Sequence, residues 1–266
     1  MKTRFTLLGL ALMLSSCGQE PATEAAPATA SATPESETSI YADAVANTSR
    51  LEGDYARDAG RKPEQVMEFL GFRRGMTVLD MFAGGGYYTE LVSDVVGDEG
   101  RVVSHSNKAY LNFVGEEFEQ RHAGGRLPNV DVLMAENNEL SLNEAEFDAI
   151  LLVLAYHDTY YSDAENGWAP IDVPKLLAEL NKGLKPDGFI GIVDHYAAAG
   201  TAHESGGTVH RIDPAIVIAD MEAAGFTCET ESDLLRNLND NYSKIVFEPE
   251  VRGKTDRFIL RFRKTD

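Results

Sequence analysis

The chain has 266 residues, of which 43% are hydrophobic and 25% charged, and its 43 acidic side chains against 24 basic ones give a net charge of −19. This length allows one sizeable α/β domain with appendages. The acidic balance argues against nucleic acid as a bulk partner, because phosphate binding requires concentrated Lys and Arg, and it favours a small molecule.

The N-terminus has the features of an export signal. Basic residues begin the chain, the apolar run Phe5–Leu14 is too short to span a bilayer, and two serines precede Cys17. The segment Leu14-Ser-Ser-Cys17 resembles a bacterial lipobox, which implies a signal peptide over residues 1–16 and lipidation of the Cys17 thiol. Gly18 after the cysteine resembles lipoproteins sent to the outer membrane, so we expect the periplasmic side of the outer membrane of a Gram-negative bacterium. An ordinary signal peptide with an incidental cysteine is the alternative.

Two parts are predicted beyond the signal. Residues 17–39 are almost entirely Ala, Pro, Thr, Ser and Glu without apolar periodicity, which predicts an extended tether. Residues 40–266 form the predicted folded domain. It opens with lead-in helices, one near Ile40 and one from Lys62 to Phe69, since Pro63 suits a first helical turn.

Strands and helices then alternate in steps of roughly thirty residues, which predicts βαβ units and a doubly wound, mostly parallel sheet covered on both faces. The predicted strands are the run ending at Asp80, Arg101–His105, Val130–Met134, Phe147–Leu154, Phe189–Asp194 and Asp256–Arg263. The predicted helices are Tyr87–Val96, 107–120, one between Pro170 and Gly183, and Pro214–Ala224.

The glycine-rich stretch at Val78–Glu90 predicts a buried strand that turns tightly into a helix. Three consecutive glycines permit positive φ and a close approach of a ligand to the backbone. A phosphate-binding P-loop is excluded because Tyr87-Tyr88 stands where that motif needs Lys and Ser or Thr. The dinucleotide fingerprint also fits badly, since no third glycine stands at the required offset. A glycine-rich turn without a ligand stays open.

The sequence Asp80-Met-Phe82-Ala-Gly84-Gly85-Gly86 resembles motif I of class I S-adenosylmethionine (SAM) dependent methyltransferases, with Phe82 where that motif has its first glycine. The resemblance extends from about Arg61 to Phe226. It implies a seven-stranded Rossmann-like sheet and SAM as the cofactor, held by Asp80, Gly84, Gly85 and Gly86.

Two further cofactor positions follow from the resemblance. The family usually has an acid after the second strand, where this chain has Ser106-Asn107, so Asn107 is the candidate for the ribose hydroxyls. A neutral group is a weaker acceptor there than an ion. After the third strand Glu136 matches the family's acid beside the adenine, with Asn137 next to it. Glu136 as an ordinary solvated loop acid is the alternative.

Paired Asp and His residues follow the fourth and fifth strands. His157-Asp158 and Asp194-His195 should meet where ligands bind in parallel sheets, outside the carboxyl ends of the strands. Histidine can take a proton near neutral pH, so His157 or His195 is the predicted base, oriented by Asp158 or Asp194. A purely structural role for each histidine is the alternative.

The same four side chains allow a mixed oxygen and nitrogen site for a divalent metal. The sequence has no H-E-x-x-H motif or paired cysteines, so we assign no metal ligands. The predicted function is a SAM-dependent methyltransferase, exported and membrane-anchored, that acts on a small molecule or an envelope component. Two alternatives are a non-catalytic small-ligand-binding module on this fold, and an enzyme of this fold with another ligand or a metal.

Overall fold

The computed structural model describes residues 39–265 of the chain, and within that range one seven-stranded sheet carries the fold. The strands are β1 Thr77–Met81, β2 Arg101–Ser106, β3 Val130–Met134, β4 Phe147–Val153, β5 Leu184–His195, β6 Phe226–Ser232 and β7 Arg257–Lys264. Their order across the sheet is β3-β2-β1-β4-β5-β7-β6. The first five are parallel, while β7 runs antiparallel between β5 and β6. This confirms the predicted mostly parallel sheet.

Helices cover both faces of the sheet. They are α1 Ile40–Ala46, α2 Glu52–Arg61, α3 Pro63–Leu70, α4 Tyr87–Val96, α5 Lys108–His122, α6 Val173–Gly183, α7 Ser205–Val209 and α8 Pro214–Ala223. Side chains alternate along each strand, so Ile150 and Leu152 of β4 pack in the core with α6 and α8, while Leu151 packs in the core with α1, α3 and α4. The domain is therefore doubly wound, and the lead-in helices α1 and α3 lie where the sequence predicts them.

Helix α2 is absent from the sequence prediction. Its ten residues are strongly polar and include two glycines, and Asp54 is its one buried residue. The apolar periodicity that reveals an amphipathic helix is therefore missing. Strand β5 begins at Leu184 and not at the predicted Phe189. The residues between them continue directly from α6 into the sheet, with a register shift opposite Phe147 and Ala149.

The topology determines where the site lies. Strands β1 and β4 are parallel neighbours in the middle of the sheet, with β2 beside β1 and β5 beside β4. The chain reverses its winding direction between β1 and β4, and ligands of such sheets bind in the crevice at that point. The segments after β1, β2, β3, β4 and β5 thus meet at one edge.

The predicted signal peptide of residues 1–16, Cys17 and all of the predicted tether except Ser39 lie outside the described residues. Between residues 39 and 265, none of the helices combines the length and the apolar character that a membrane-spanning helix requires.

Candidate active site

The glycine turn after β1 uses the left-handed backbone conformation three times. Phe82, Gly84 and Gly86 have φ values of 57°, 58° and 77°. A side chain at Gly84 would meet no protein atom within 4 Å, whereas one at Gly85 would collide with Glu117 and one at Gly86 would press on Arg121. Gly84 is therefore the glycine of the turn that faces open space.

Phe82 keeps its left-handed conformation although it is not glycine, a geometry that is uncommon and costs energy for a bulky residue. Its ring is buried and packs against Tyr110 and edge-on against His105, with centroid distances of 5.4 and 5.7 Å. This packing offsets the backbone strain at Phe82. The turn therefore keeps the left-handed conformation that a glycine at this position would adopt without strain.

His105, at the end of β2, ties the glycine turn to β3. Its Nδ1 lies 3.4 Å from the Phe82 amide and its Nε2 3.0 Å from the Ala135 carbonyl oxygen. The Phe82 N–H can only donate and the carbonyl can only accept, so the proton is on Nε2. Burial lowers the pKa of His105 to about 4, which keeps the ring neutral. The sequence gives no sign of this bridge, because a histidine inside a strand has no distinguishing pattern.

Asp80 lies beneath the turn. Its carboxylate is buried and accepts a 2.6 Å hydrogen bond from the Thr89 hydroxyl of α4. Burial raises the pKa of Asp80 to about 7. The side chain lines neither of the two cavities described below, so it supports the turn from inside the protein.

Helices α2 and α5 clamp the outer side of the turn. The guanidinium of Arg121 is fully buried, donates to the Gly85 carbonyl oxygen over 2.9 Å, and pairs with Asp54 and Glu90. Arg57 of α2 in turn pairs with Asp54 and Glu117. The polar helix α2 is thus held in place by ion pairs and not by an apolar face.

A cavity of about 960 Å³ lies beside the ends of β2 and β3, and three of the predicted cofactor residues line it: Asn107, Glu136 and Asn137. The Asn107 side-chain oxygen accepts from the Tyr110 amide over 2.8 Å and so caps α5. Two buried oxygens nearby, Ser106 Oγ and Asn137 Oδ1, have no hydrogen-bond partner among the described residues. Buried polar atoms without a partner are rare, and of these two residues Asn137 lines the cavity, where it suits a polar ligand.

A second cavity, of about 410 Å³, lies over the glycine turn and the ends of β4 and β5. It is lined by Gly84 and Gly85 on one side and by His157, Asp158 and His195 on the other. The two cavities share Phe113, Tyr161 and Trp168 as wall residues. Phe113 stands at the rim, where 70% of it is exposed and its ring lies 6.0 Å from that of Phe247 between centroids.

The structure brings the four predicted catalytic residues together. Asp194 is fully buried and accepts from the His157 ring Nδ1 over 2.7 Å, from the His157 amide over 2.9 Å and from the His195 amide over 2.7 Å. These three bonds occupy the carboxylate, which therefore orients His157 and joins the ends of β4 and β5.

The other edge of the His157 ring faces Asp158 and His210. Its Nε2 lies 3.2 Å from Asp158 Oδ1, and the second oxygen of Asp158 accepts a short bond from the Tyr110 hydroxyl. Burial alone would lower the pKa of His157, but the charges and hydrogen bonds of Asp158 and Asp194 raise it to about 10. Burial likewise opposes ionisation of Asp158, yet the charge and hydrogen bond of His157 hold its pKa below the ordinary value. With no ion bound, the two carboxylates favour the protonated form of His157, and both of its ring nitrogens are engaged.

His195 differs from His157 in its hydrogen-bond partners and in the direction of its pKa shift. Its Nδ1 lies 2.7 Å from the Thr255 hydroxyl, and within residues 39–265 no group hydrogen-bonds to its Nε2. Burial, and secondarily the charges of His157 and Arg257, lower the pKa of His195 well below the ordinary value. A neutral imidazole with one free nitrogen therefore faces the cavity.

His210 completes a cluster that the sequence analysis does not assemble. The atoms of His157, Asp158 and His210 that can bind a metal lie within 4.8 Å of one another. The mixed site that the sequence allows contains Asp194 and His195 in place of His210. In the structure Asp194 accepts three hydrogen bonds and His195 Nδ1 lies 2.7 Å from the Thr255 hydroxyl, so neither residue belongs to this cluster.

Three arginines line the second cavity: Arg57, which pairs with Glu117 in the same wall, Arg61 and Arg252. The guanidinium of Arg61 lies 4.4 Å from the centre of the Tyr87 ring, and no acceptor among the described residues takes a hydrogen bond from it. Desolvation lowers the pKa of Arg61. A cation in this state favours an anionic group in the cavity.

Comparisons with known proteins agree with the fold. The family model for protein-L-isoaspartate(D-aspartate) O-methyltransferase matches residues 41–159. The ubiquinone/menaquinone biosynthesis C-methyltransferase UbiE of Idiomarina loihiensis is 31% identical over 130 residues, which are 48% of this chain and 46% of that protein. The demethylmenaquinone methyltransferase of Staphylococcus aureus is 27% identical over the same shares of both chains. The chain thus spans about half the length of these curated relatives.

Solved structures extend the likeness to most of the domain. A SAM-dependent methyltransferase from Aquifex aeolicus superposes with a TM-score of 0.53 at 23% identity, over 79% of this chain and 98% of that one. Another from Mesorhizobium loti gives 0.51 at 13% identity, over 78% and 100%. The chain has the class I SAM-dependent methyltransferase fold. Its glycine turn and both cavities contain residues for which the sequence resemblance to that superfamily implies a SAM site.

Proposed function

We propose that this chain is a SAM-dependent methyltransferase that acts on a small molecule or an envelope component. The observation that carries the proposal is the continuity of the site. The cavity over Gly84 also contains the free imidazole of His195, and it adjoins the cavity that contains Asn107, Glu136 and Asn137. A cofactor bound along both cavities would end beside a group able to accept a proton.

The residues present fit SAM. Asn137 in the cavity wall has an unpaired oxygen, Glu136 is exposed at the adenine position, and the side-chain NH₂ of Asn107 remains for a ribose hydroxyl. Gly84 leaves room for close approach of a ligand to the backbone, and Arg61 suits a carboxylate. When bound, SAM supplies an electrophilic methyl group on a sulfonium, so the protein has to align the acceptor and remove its proton where needed.

His195 is the better candidate for the base. A general base needs a free nitrogen on the cavity, and His195 Nε2 offers one while Thr255 fixes the ring through Nδ1. His157 engages Asp194 through one nitrogen and the pair of Asp158 and His210 through the other. We therefore assign His157 a positioning role within the cavity wall.

The walls of the cavities indicate the acceptor. Tyr161, Trp168, Phe113 and Phe247 present aromatic surface around the opening, and such surface suits an apolar ring system. One matched relative is named for ubiquinone and menaquinone biosynthesis and another is named a demethylmenaquinone methyltransferase, which agrees with an acceptor of this kind.

The proposal includes export and a lipid anchor. It is supported by the apolar run Phe5–Leu14, by the lipobox-like Leu14-Ser-Ser-Cys17 and by the composition of residues 18–39. SAM is made in the cytoplasm, so an exported enzyme also requires a supply of cofactor outside the cell membrane.

Calorimetric titration of the purified protein with SAM tests the proposal. We expect binding at one site, and we expect Gly84→Leu to weaken it more than about 100-fold because the new side chain enters the open space above the turn. Gly124→Leu is the matched control, since Gly124 has φ 64° and equally open surroundings but lines neither cavity.

The control separates loss of the site from strain in the backbone. If the wild-type protein does not bind SAM even at millimolar concentrations, the methyltransferase proposal fails and the small-ligand-binding module or another ligand takes its place. The strained Phe82 and the missing acid at Asn107 are the features that would explain such a result.

A further inference from the structure

Three ligand atoms form a nearly regular triangle in the wall of the smaller cavity. His157 Nε2 and His210 Nδ1 each lie 3.2 Å from Asp158 Oδ1, and the two nitrogens lie 3.3 Å apart. His157 and Asp158 follow β4, while His210 ends α7. Residues more than fifty positions apart in the chain thus direct their ligand atoms at one point.

The size of this triangle matches a metal site. Ligands at about 2.0–2.1 Å from a transition metal are separated by about 2.9 Å at right angles and about 3.4 Å at tetrahedral angles. The three observed separations fall between these limits. Two imidazoles and one carboxylate on one side of an ion leave further positions open, as in mononuclear metal sites that bind a substrate or water.

Hydrogen bonds from outside the triangle fix the orientation of His157 and Asp158. Metal-binding histidines usually donate their other ring N–H to a carboxylate, which fixes the tautomer, and Asp194 accepts from His157 Nδ1 over 2.7 Å. Tyr110 holds the second oxygen of Asp158. Hydrogen bonds outside the triangle therefore leave His157 Nε2 and Asp158 Oδ1 directed inward.

The third ligand, His210, is also fixed. It has a left-handed backbone with φ 54°, a conformation that costs energy in a non-glycine residue and that often occurs at functional sites. Its ring packs between Phe247 and Tyr161, with centroid distances of 4.8 and 5.3 Å. The aromatic rim of the cavity thus keeps Nδ1 pointed at Asp158.

We propose that His157 Nε2, Asp158 Oδ1 and His210 Nδ1 bind a divalent first-row transition metal whose remaining coordination positions face the cavity above Gly84. Imidazole ligands favour zinc, iron, cobalt or nickel over magnesium and calcium, which prefer all-oxygen sites. The site does not depend on methyl transfer, because none of its three residues contacts the proposed SAM positions Asn107, Glu136 or Asn137 in the hydrogen-bond network of residues 39–265.

The rival explanation is an ion-pair cluster alone, in which a charged His157 donates to Asp158 and His210 also donates to it. This cluster and the metal site differ in what happens when a metal is offered. A bare ion-pair cluster takes up no metal in stoichiometric amount.

Titration of the purified, chelator-treated protein with Co²⁺ tests the proposal, because ligand-field absorption in the visible range reports the inner coordination sphere directly. We expect one equivalent to bind with a new visible band, and Zn²⁺ to displace it. His210→Ala should remove the band and weaken Co²⁺ binding more than about 100-fold, a larger loss than the roughly 10- to 100-fold typical of outer-shell partners.

His203→Ala is the matched control. His203 lies on the same loop region as His210, is 53% exposed and stacks on Tyr160 outside the triangle. We expect it to bind Co²⁺ as the wild type does, and circular dichroism should show that both variants keep the fold. His210 is the residue chosen because it lies at the edge of the cluster, where alanine leaves the core intact.

Three results would overturn the metal site. They are a wild-type protein without stoichiometric Co²⁺ binding, a folded His210→Ala variant with unchanged binding, and equal loss of binding in both variants. The SAM titration is read separately, so failure of the metal site and failure of the methyltransferase proposal are distinguishable.

Discussion

The Asp194 carboxylate accepts both the ring N–H and the backbone N–H of His157, over 2.7 and 2.9 Å. A third bond, from the His195 amide, comes from its own strand. The end of β4 is thereby attached to the end of β5 at a point where backbone ladders no longer connect the two strands. This attachment gives the cavity wall a fixed shape before any ligand binds.

Asp194→Asn should therefore lower the free energy of unfolding by more than the loss of a single surface hydrogen bond would. The amide presents an NH₂ group to donors that need an acceptor, and the buried His157 loses a charge partner. We expect the free energy of unfolding to fall by about 3–5 kcal/mol, the usual cost of breaking a buried ion pair from one side. Urea denaturation measures it.

Asp187→Asn is the control, because Asp187 is an exposed residue of the same strand. It should change the free energy of unfolding by less than about 0.5 kcal/mol. If the two variants were equally stable, Asp194 would not hold the wall together.

The sequence predicts the sheet well because a buried strand is a continuous apolar run, which can be recognised without knowledge of its neighbours. Such runs form β1, β4 and β5, and helices alternate with the strands along the chain. Since β4 and β5 are neighbours, residues placed just after them had to meet, and the approach of His157 to Asp194 was predictable in that sense.

His210 and helix α2 were not predictable in the same way. The position of His210 depends on a left-handed residue and on packing against Phe247, which comes from a distant loop. Helix α2 is held by Asp54 and Arg57 through ion pairs across to α5, and such pairs leave no periodic pattern in the sequence. Both features are long-range contacts between polar residues.

The raised pKa of Asp80 predicts a specific dependence of stability on pH. The folded protein holds the Asp80 proton up to about pH 7, whereas the unfolded chain releases it near 3.8. Between these values the folded state binds more protons, so the contribution of this group to stability is present at low pH and lost as the pH rises through 7. The loss approaches about 1.4 kcal/mol for each pH unit.

Asp80→Asn removes this titration while it keeps the size of the side chain and an acceptor for Thr89. We expect the variant to gain stability relative to the wild type between pH 4 and 7, and the difference to stay constant above 7. Urea denaturation over pH 4 to 9 gives the difference curve. Parallel curves for the two proteins would show that Asp80 is ionised in the folded state.

The proposed anchor at Cys17 has a direct test. If Leu14-Ser-Ser-Cys17 directs lipidation, Cys17→Ser should move the protein from the membrane fraction to the soluble fraction. The variant protein should keep the melting temperature of the wild-type domain, because Cys17 lies outside the predicted folded domain of residues 40–266. A Cys228→Ser control should stay with the membranes, and a Cys17→Ser protein that still sediments with them would contradict the anchor.

The ion pairs of Arg121 are buried and should stabilise the domain more than the exposed ion pairs of Arg101. It pairs with Asp54 and Glu90, which are buried, and its Nε holds the Gly85 carbonyl. Arg121→Leu would leave two buried carboxylates without their main partner and release the glycine turn. We expect a loss of about 3–5 kcal/mol in the free energy of unfolding.

Arg101→Leu is the matched comparison, since Arg101 also pairs with two acids, Asp131 and Glu146, but is 44% exposed in its side chain. Solvent screening reduces such pairs to about 0–1 kcal/mol. Urea denaturation should therefore separate the two variants by at least about 2 kcal/mol, and added salt should change the Arg101 value more. Equal losses would mean that the turn is held by its apolar neighbours, and in that case Arg121→Leu should also leave SAM binding intact.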